Sequence, residues 1–169
     1  MNTRHAGGFA ATIAVALVVA LATTALANRV VVRDSAGDTR VCKGPHLDIR
    51  SAIAGHASKG RLKHVVKVQR ARSFAKPLIG IKVGKSKRIR YTVWGGFGAP
   101  QVVDNKKSEV TGGVKTKRRG NRWILLFHPR ALGNPSEYRW QAFTYAGGDC
   151  PNSDYAPNRK KGFRRHRLG

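Results

Sequence analysis

Asp34, Asp38 and Asp154 are the first residues in this sequence whose type and placement could do chemistry. They fall at the two ends of the chain that follows an apolar leader, and carboxylate oxygens from joined ends suit a hard cation such as Ca2+. Asp34 and Asp38 read equally well as turn residues, with Asp34 capping Ser35-Ala36-Gly37 through its side chain. Three separated carboxylates are far short of an EF-hand loop, so the reading is Ca2+ at this trio or no cofactor at all. Catalytic patterns fail on inventory. Ser73-Phe74-Ala75-Lys76 matches S-x-x-K, but neither S-D-N nor K-T-G follows it. The only glutamates, Glu109 and Glu137, suggest no carboxylate pair for glycoside cleavage. H-E-x-x-H and G-x-S-x-G are absent, and His46, His56, His64 and His128 occur singly. His64 lies on an apolar parity, which suits a hydrogen-bonded core histidine better than a base. The chain therefore reads as non-enzymatic.

Charge is the stronger signal. Lys and Arg number 33 against 8 Asp and Glu, a formal charge of +25. Lys85, Lys87, Arg88 and Arg90 crowd one expected hairpin, and Lys117, Arg118 and Arg119 crowd a second. Arg159, Lys160, Lys161, Arg164, Arg165 and Arg167 form a terminal run. Like charges at this density repel, and an anionic partner relieves that cost. The partner classes are an anionic cell-wall polymer, an acidic glycan, a membrane surface, or extracellular nucleic acid bound without specificity. No helix-turn-helix, zinc finger or RNP-type strand is present. Trp94 shares strand parity with Arg90 and Thr92 and runs into Gly95-Gly96. It is either an outward stacking platform for a sugar ring or, if the strand bends at the glycines, a filler of the core edge. Trp123, Tyr138 and Trp140 share faces with Leu125, Phe127 and Ala142 and are expected in the core.

The elements that must position these groups begin after residue 27. Arg4 and His5, the apolar run 10–22 and the small residues ending in Ala25-Leu26-Ala27 form a basic, apolar and cleavage-site sequence. The run is short for a spanning helix, which needs about 20 apolar residues. A cleaved signal peptide over 1–27, helical in its apolar part, is expected, with a secreted or cell-wall-associated product. Export makes a disulfide the preferred reading of the only two cysteines, Cys42 and Cys150. Closing a loop of about 110 residues would contribute on the order of 4–5 kcal/mol.

Short runs of period two, punctuated by glycine and proline, fill the chain from Val30 onward. From Leu47, the apolar parity is set by Leu47, Ile49 and Ile53; Ser58-Lys59-Gly60 is a turn, and Leu62, His64, Val66 and Val68 form the buried side of the next strand. Further strands are expected around Ile79-Ile81-Val83, Ile89-Tyr91-Val93, Trp123-Leu125-Phe127 and Tyr138-Trp140-Ala142. With Val30 to Arg33 they make about seven, Pro77 being among the separators. No segment shows a clean helical period, so the expectation is an all-β antiparallel sandwich over 28–157, followed by a disordered basic tail over 158–169.

Asp34-Ser35-Ala36-Gly37-Asp38, Leu47-Asp48-Ile49-Arg50-Ser51, Tyr138-Arg139-Trp140 and Asp154-Tyr155-Ala156-Pro157 occur in this order. The layout, spanning roughly 30–157, resembles small secreted proteins of high-GC Gram-positive bacteria. These are similar to the β-sandwiches of carbohydrate-binding module family 9 and the DOMON type. The resemblance implies a jelly-roll-like sandwich and a non-catalytic binding role, with sugar or heme ligands in some relatives. The only methionine, Met1, leaves with the signal peptide, so a Met/His heme ligand pair is excluded.

Overall fold

The computed structural model describes residues 29–39, 47–70, 76–96, 98–146, 154–158 and 162–168. The expected signal segment 1–27, Cys42, Cys150 and the tail residues Arg159, Lys160 and Lys161 lie outside the described residues. Twelve strands are described: β1 Val30–Arg33, β2 Ile49–Ala57, β3 Arg61–Val68, β4 Lys76–Val83, β5 Tyr91–Trp94, β6 Gln101–Asp104, β7 Glu109–Gly113, β8 Lys115–Arg119, β9 Arg122–Phe127, β10 Glu137–Tyr145, β11 Asp154–Ala156 and β12 Arg164–Arg167. A 3-10 turn, Pro129–Leu132, precedes β10. Every pairing is antiparallel, in a five-stranded sheet β1-β2-β3-β9-β8 and a seven-stranded sheet β11-β10-β4-β5-β6-β7 with β12 on β10. The expected all-β sandwich is observed. The β2–β3 hairpin closes at Ala57↔Arg61 through Ser58-Lys59-Gly60, with Lys59 and Gly60 both in the left-handed region at φ 62°.

Alternate buried residues of β3 and β9 build one side of the layer between the sheets. Leu62, Val66 and Val68 of β3 and Trp123, Leu125 and Phe127 of β9 meet Ile79 and Ile81 of β4, Val93 of β5, and Tyr138 and Trp140 of β10. The three aromatics expected in the core, Trp123, Tyr138 and Trp140, are there.

Three expectations need correction. The parity read from Leu47 holds only to Ile49: the register of β2 against β3 shifts between Ile49 and Ser51, so Ala52 and Ala54 face the core and Ile53 faces outward. An extra residue in one strand reverses every later side chain, and period two alone does not locate it. Pro77 is a strand residue of β4, opposite Thr144 of β10, and not a separator. The strands number twelve because β6, β7, β8, β11 and β12 are short, polar or both.

Part of the expected disordered tail is also ordered. β12 pairs with β10 from Glu137↔Arg167 to Trp140↔Arg164, on the edge where β11 already pairs with Ala142 to Thr144. That edge offers unpaired backbone groups, and the tail fills them. His166 turns inward at 1% exposure and Leu168 packs against the core. Arg165 and Arg167 point out and bracket Glu137 at 3.5 and 4.0 Å. The alternation Arg165-His166-Arg167-Leu168 is itself period two.

His166 completes a buried polar nucleus. His64 is fully buried, its Nε2 lies 2.8 Å from the Tyr138 hydroxyl, and its ring meets Trp140 edge-on at 5.0 Å. His166 packs edge-on to Tyr138 at 5.3 Å and beside His56 at 5.1 Å. Burial, then the neighbouring His166, lowers the pKa of His64 to about 3; burial, then His56, lowers that of His166 to about 4. Both lie below the 6.5 of a free imidazole, so the unfolded chain binds protons first. Stability from the neutral rings is complete above pH 6.5 and is lost as the pH falls towards 3–4. At about 1.4 kcal/mol per unit, the two rings together withdraw several kcal/mol. In urea denaturation between pH 7 and pH 4.5, His166→Leu should lose less stability than the wild type. Parallel losses in the two proteins would remove His166 from this role.

Candidate functional site

Two features stand out on the sandwich: an aromatic groove on the outer face of the seven-stranded sheet, and an acidic cluster at one end. The groove follows from registry. Trp94, Leu78, Phe143 and Tyr155 form one cross-strand row over β5, β4, β10 and β11, and Thr92, Gly80 and Gln141 form the next. Opposite residues in antiparallel strands project to the same side, so both rows share the outer face. Gly80 has no side chain, and Phe143 leans over it: a Cβ there would lie 2.6 Å from the Phe143 ring. The result is a groove of about 550 Å3 between raised aromatic walls.

Trp94 and Tyr145 meet edge-on at 6.0 Å, as do Phe143 and Tyr155 at 5.1 Å. The far wall is Phe163, just before β12, with the Lys82 ammonium 4.1 Å above its ring centre. Burial, followed by the charge of Arg139, lowers the pKa of Lys82. Lys87 completes the rim. The Arg139 guanidinium pins the β4–β5 connection that carries Lys85, Lys87 and Arg88, donating to the carbonyls of Gly84 and Ser86 at 3.0 and 2.9 Å. No carboxylate, histidine or serine lines the groove among the described residues.

Of the two readings of Trp94, the half-buried outward position is the observed one. Phe143 and Tyr145 were legible as the outward parity of the strand whose inward parity is Tyr138, Trp140 and Ala142. Tyr155 and Phe163 carried no local signal, because only pairing with β10 sets them beside the others.

The acidic cluster unites the three aspartates that the sequence singled out. Oxygens of Asp34, Asp38 and Asp154 all lie within 4.8 Å of one another. Asp154 is buried and accepts from the Ile49 amide at 2.6 Å and from its own neighbour's amide, Tyr155, at 2.8 Å. Asp48, also buried, accepts from the Gly37 amide at 2.9 Å and so holds the loop between Asp34 and Asp38. Asp38 accepts from the Asn158 amide group at 2.9 Å. Burial, above all, and then the charges of Asp34 and Asp38 raise the pKa of Asp154 to about 7, against the two amide donors that lower it. Such a trio offers oxygen donors to a hard cation of the Ca2+ type.

The expected anion-binding residues separate into distinct settings. Arg90 is committed to Asp104 at 2.6 Å, and Asp104 in turn accepts from the Lys106 and Lys107 amides. Burial opposes ionisation of Asp104, but those amides and Arg90 outweigh it and its pKa falls. Arg118 lies over the Trp123 ring at 5.8 Å. Arg165 and Arg167 flank Glu137, whereas Lys117, Arg119 and Arg164 are exposed. No protein-family model matches the chain, and no curated protein matches it in sequence.

The acidic cluster has a defined pH response. The raised pKa of Asp154 means that its contribution to stability is full below pH 3.8 and lost as the pH rises through about 7, opposite in sign to the histidines. In chelator at pH 7, Asp38→Asn should stabilise the fold by about 1 kcal/mol, by removing one like charge, and have little effect at pH 4. A cation bound by the trio cancels the same repulsion, so Ca2+ should raise the Tm of the wild type more than that of Asp38→Asn. A wild-type Tm indifferent to Ca2+ would leave the trio a purely structural role.

Proposed function

We propose that this chain is a secreted, non-catalytic binding protein of the cell envelope that takes an anionic polysaccharide in the aromatic groove. The observation that carries this reading is the meeting of Trp94, Tyr145, Tyr155 and Phe163 around the Phe143 floor, with Lys82 and Lys87 on the rim. Aromatic faces accept the apolar faces of sugar rings, and the lysines supply the opposite charge for carboxylate or ester groups. The basic connection 84–90 and the exposed Arg164 extend the attraction beyond the groove and steer a polyanion towards it. The resemblance read from the sequence and the expected signal segment led to the same class of function.

On immobilised polygalacturonate in a salt gradient, the mature protein should be retained and released as salt rises. Trp94→Ala should weaken retention by about tenfold, the scale of one lost stacking contact. Lys82→Gln with Lys87→Gln should shift release to lower salt. Retention untouched by Trp94→Ala would reduce the interaction to surface charge and discard the groove.

A Cys42–Cys150 disulfide belongs to the same proposal, because the segments that lead towards the cysteines are already stitched together. The Thr144 hydroxyl donates to the Leu47 carbonyl at 2.6 Å, and Asp154 accepts from the Ile49 amide. A non-reducing digest of secreted protein should yield the Cys42 and Cys150 peptides as one linked species, and reduction should lower the Tm by several degrees. Free thiols at both positions would refute the bridge.

A further inference from the structure

The outer face of the five-stranded sheet is a second surface, unlike the groove in chemistry. The strand registers order it into three rows. The first is Arg33, Ser51, Lys67, Arg122 and Arg119; the second is Val31, Ile53, Val65 and Ile124, ending at Lys117; the third is Gly55, Lys63, Leu126 and Lys115. Val31 is 51% exposed, and Ile53, Val65, Ile124 and Leu126 are partly exposed. An aliphatic stripe thus crosses most of the sheet between two cationic rows, each about 7 Å away along the strands. None of the three rows contains an acid or an aromatic residue.

We infer that this face docks on an anionic lipid surface, with the stripe seated among the uppermost acyl segments and the flanking Lys and Arg on the headgroups. Charge complementarity requires an anionic partner. The centre of the face selects among anionic partners: bare aliphatic side chains gain little from sugars or nucleic-acid bases, which stack on aromatic rings, whereas hydrocarbon accepts them. Long cationic side chains beside an apolar strip can lay their methylenes along it while their charged ends reach the headgroups. The face is about 20 Å across at the usual strand spacing. The groove lies on the other sheet and remains open to a polymer while this face is engaged.

The test uses the mature chain, vesicles of phosphatidylglycerol and phosphatidylcholine, vesicles of phosphatidylcholine alone, and soluble polyphosphate. Val31→Thr with Ile53→Thr and Ile124→Thr keeps every charge and β-branch while removing three of the four aliphatic residues of the stripe, Val65 remaining. Expected are binding to the anionic vesicles only, a loss of about tenfold or more in vesicle affinity in the triple variant, and polyphosphate affinity unchanged. Lys63→Gln with Lys115→Gln should weaken both. Should the triple variant fail to fold, Val31→Trp on the exposed edge strand serves instead: its added fluorescence should shift to the blue on anionic vesicles and be quenched by brominated acyl chains. Equal vesicle binding by the wild type and a folded triple variant, or an added tryptophan that stays in water, would overturn the proposal. Retention on polygalacturonate is unaffected by these substitutions if the groove reading holds, so the two proposals fail separately.

Discussion

A carboxylate taken out of water, Asp154, holds the two ends of this chain together. It accepts from the amide of Ile49 at the start of β2, a residue 105 positions away and in the other sheet. The bond ties β11, at the edge of one sheet, to β2 of the other. Asp34 and Asp38 crowd the same point, and Asp48 anchors the loop that presents them. Three of the four segments that suggested a family likeness therefore converge on one place in space. Their common element is an aspartate with a structural task, whether or not a cation shares the site. Burying that carboxylate near two others is costly, and the cost appears as the raised pKa of Asp154.

Scarcity of acid explains the rest of the surface. With 8 acids for 33 cations, those in the described residues are drawn to particular tasks: the end cluster, the Arg90–Asp104 pair, and Glu137 between two arginines of β12. Few are left to neutralise the sheet faces, so most of the remaining Lys and Arg are spread over the outside. The two outer faces nevertheless diverge. One carries rings around a glycine, the other aliphatic side chains between cations, and this difference separates a proposed saccharide site from a proposed lipid-facing one.

The histidine nucleus shows why the terminal strand stays in place despite its charge. Arg164, Arg165 and Arg167 gain nothing from burial and remain outside, while His166 and Leu168 take the inward parity. A neutral imidazole against Tyr138 fills the sandwich at the cost of only one weakly basic group. A composition-based reading saw the arginines and expected a free tail. The alternation and the vacant edge of β10 were the opposing signals.

Local pattern alone was enough for the fold class, the hairpin at Lys59-Gly60, the core position of His64, Trp123, Tyr138 and Trp140, and the selection of Asp34, Asp38 and Asp154. Each follows from period two, turn chemistry or the rarity of a residue type, which are properties of neighbours in sequence. What the tertiary structure decided is everything set by registry between strands. The bulge after Ile49 reversed the outward face of β2, Gly80 left room for the Phe143 ring that floors the groove, and Phe163 came to line the same groove as Trp94. The aliphatic stripe likewise takes its residues from four separate strands. Strand neighbours are chosen by backbone hydrogen bonding and by the packing of the whole core, long-range energies that no short window of sequence contains.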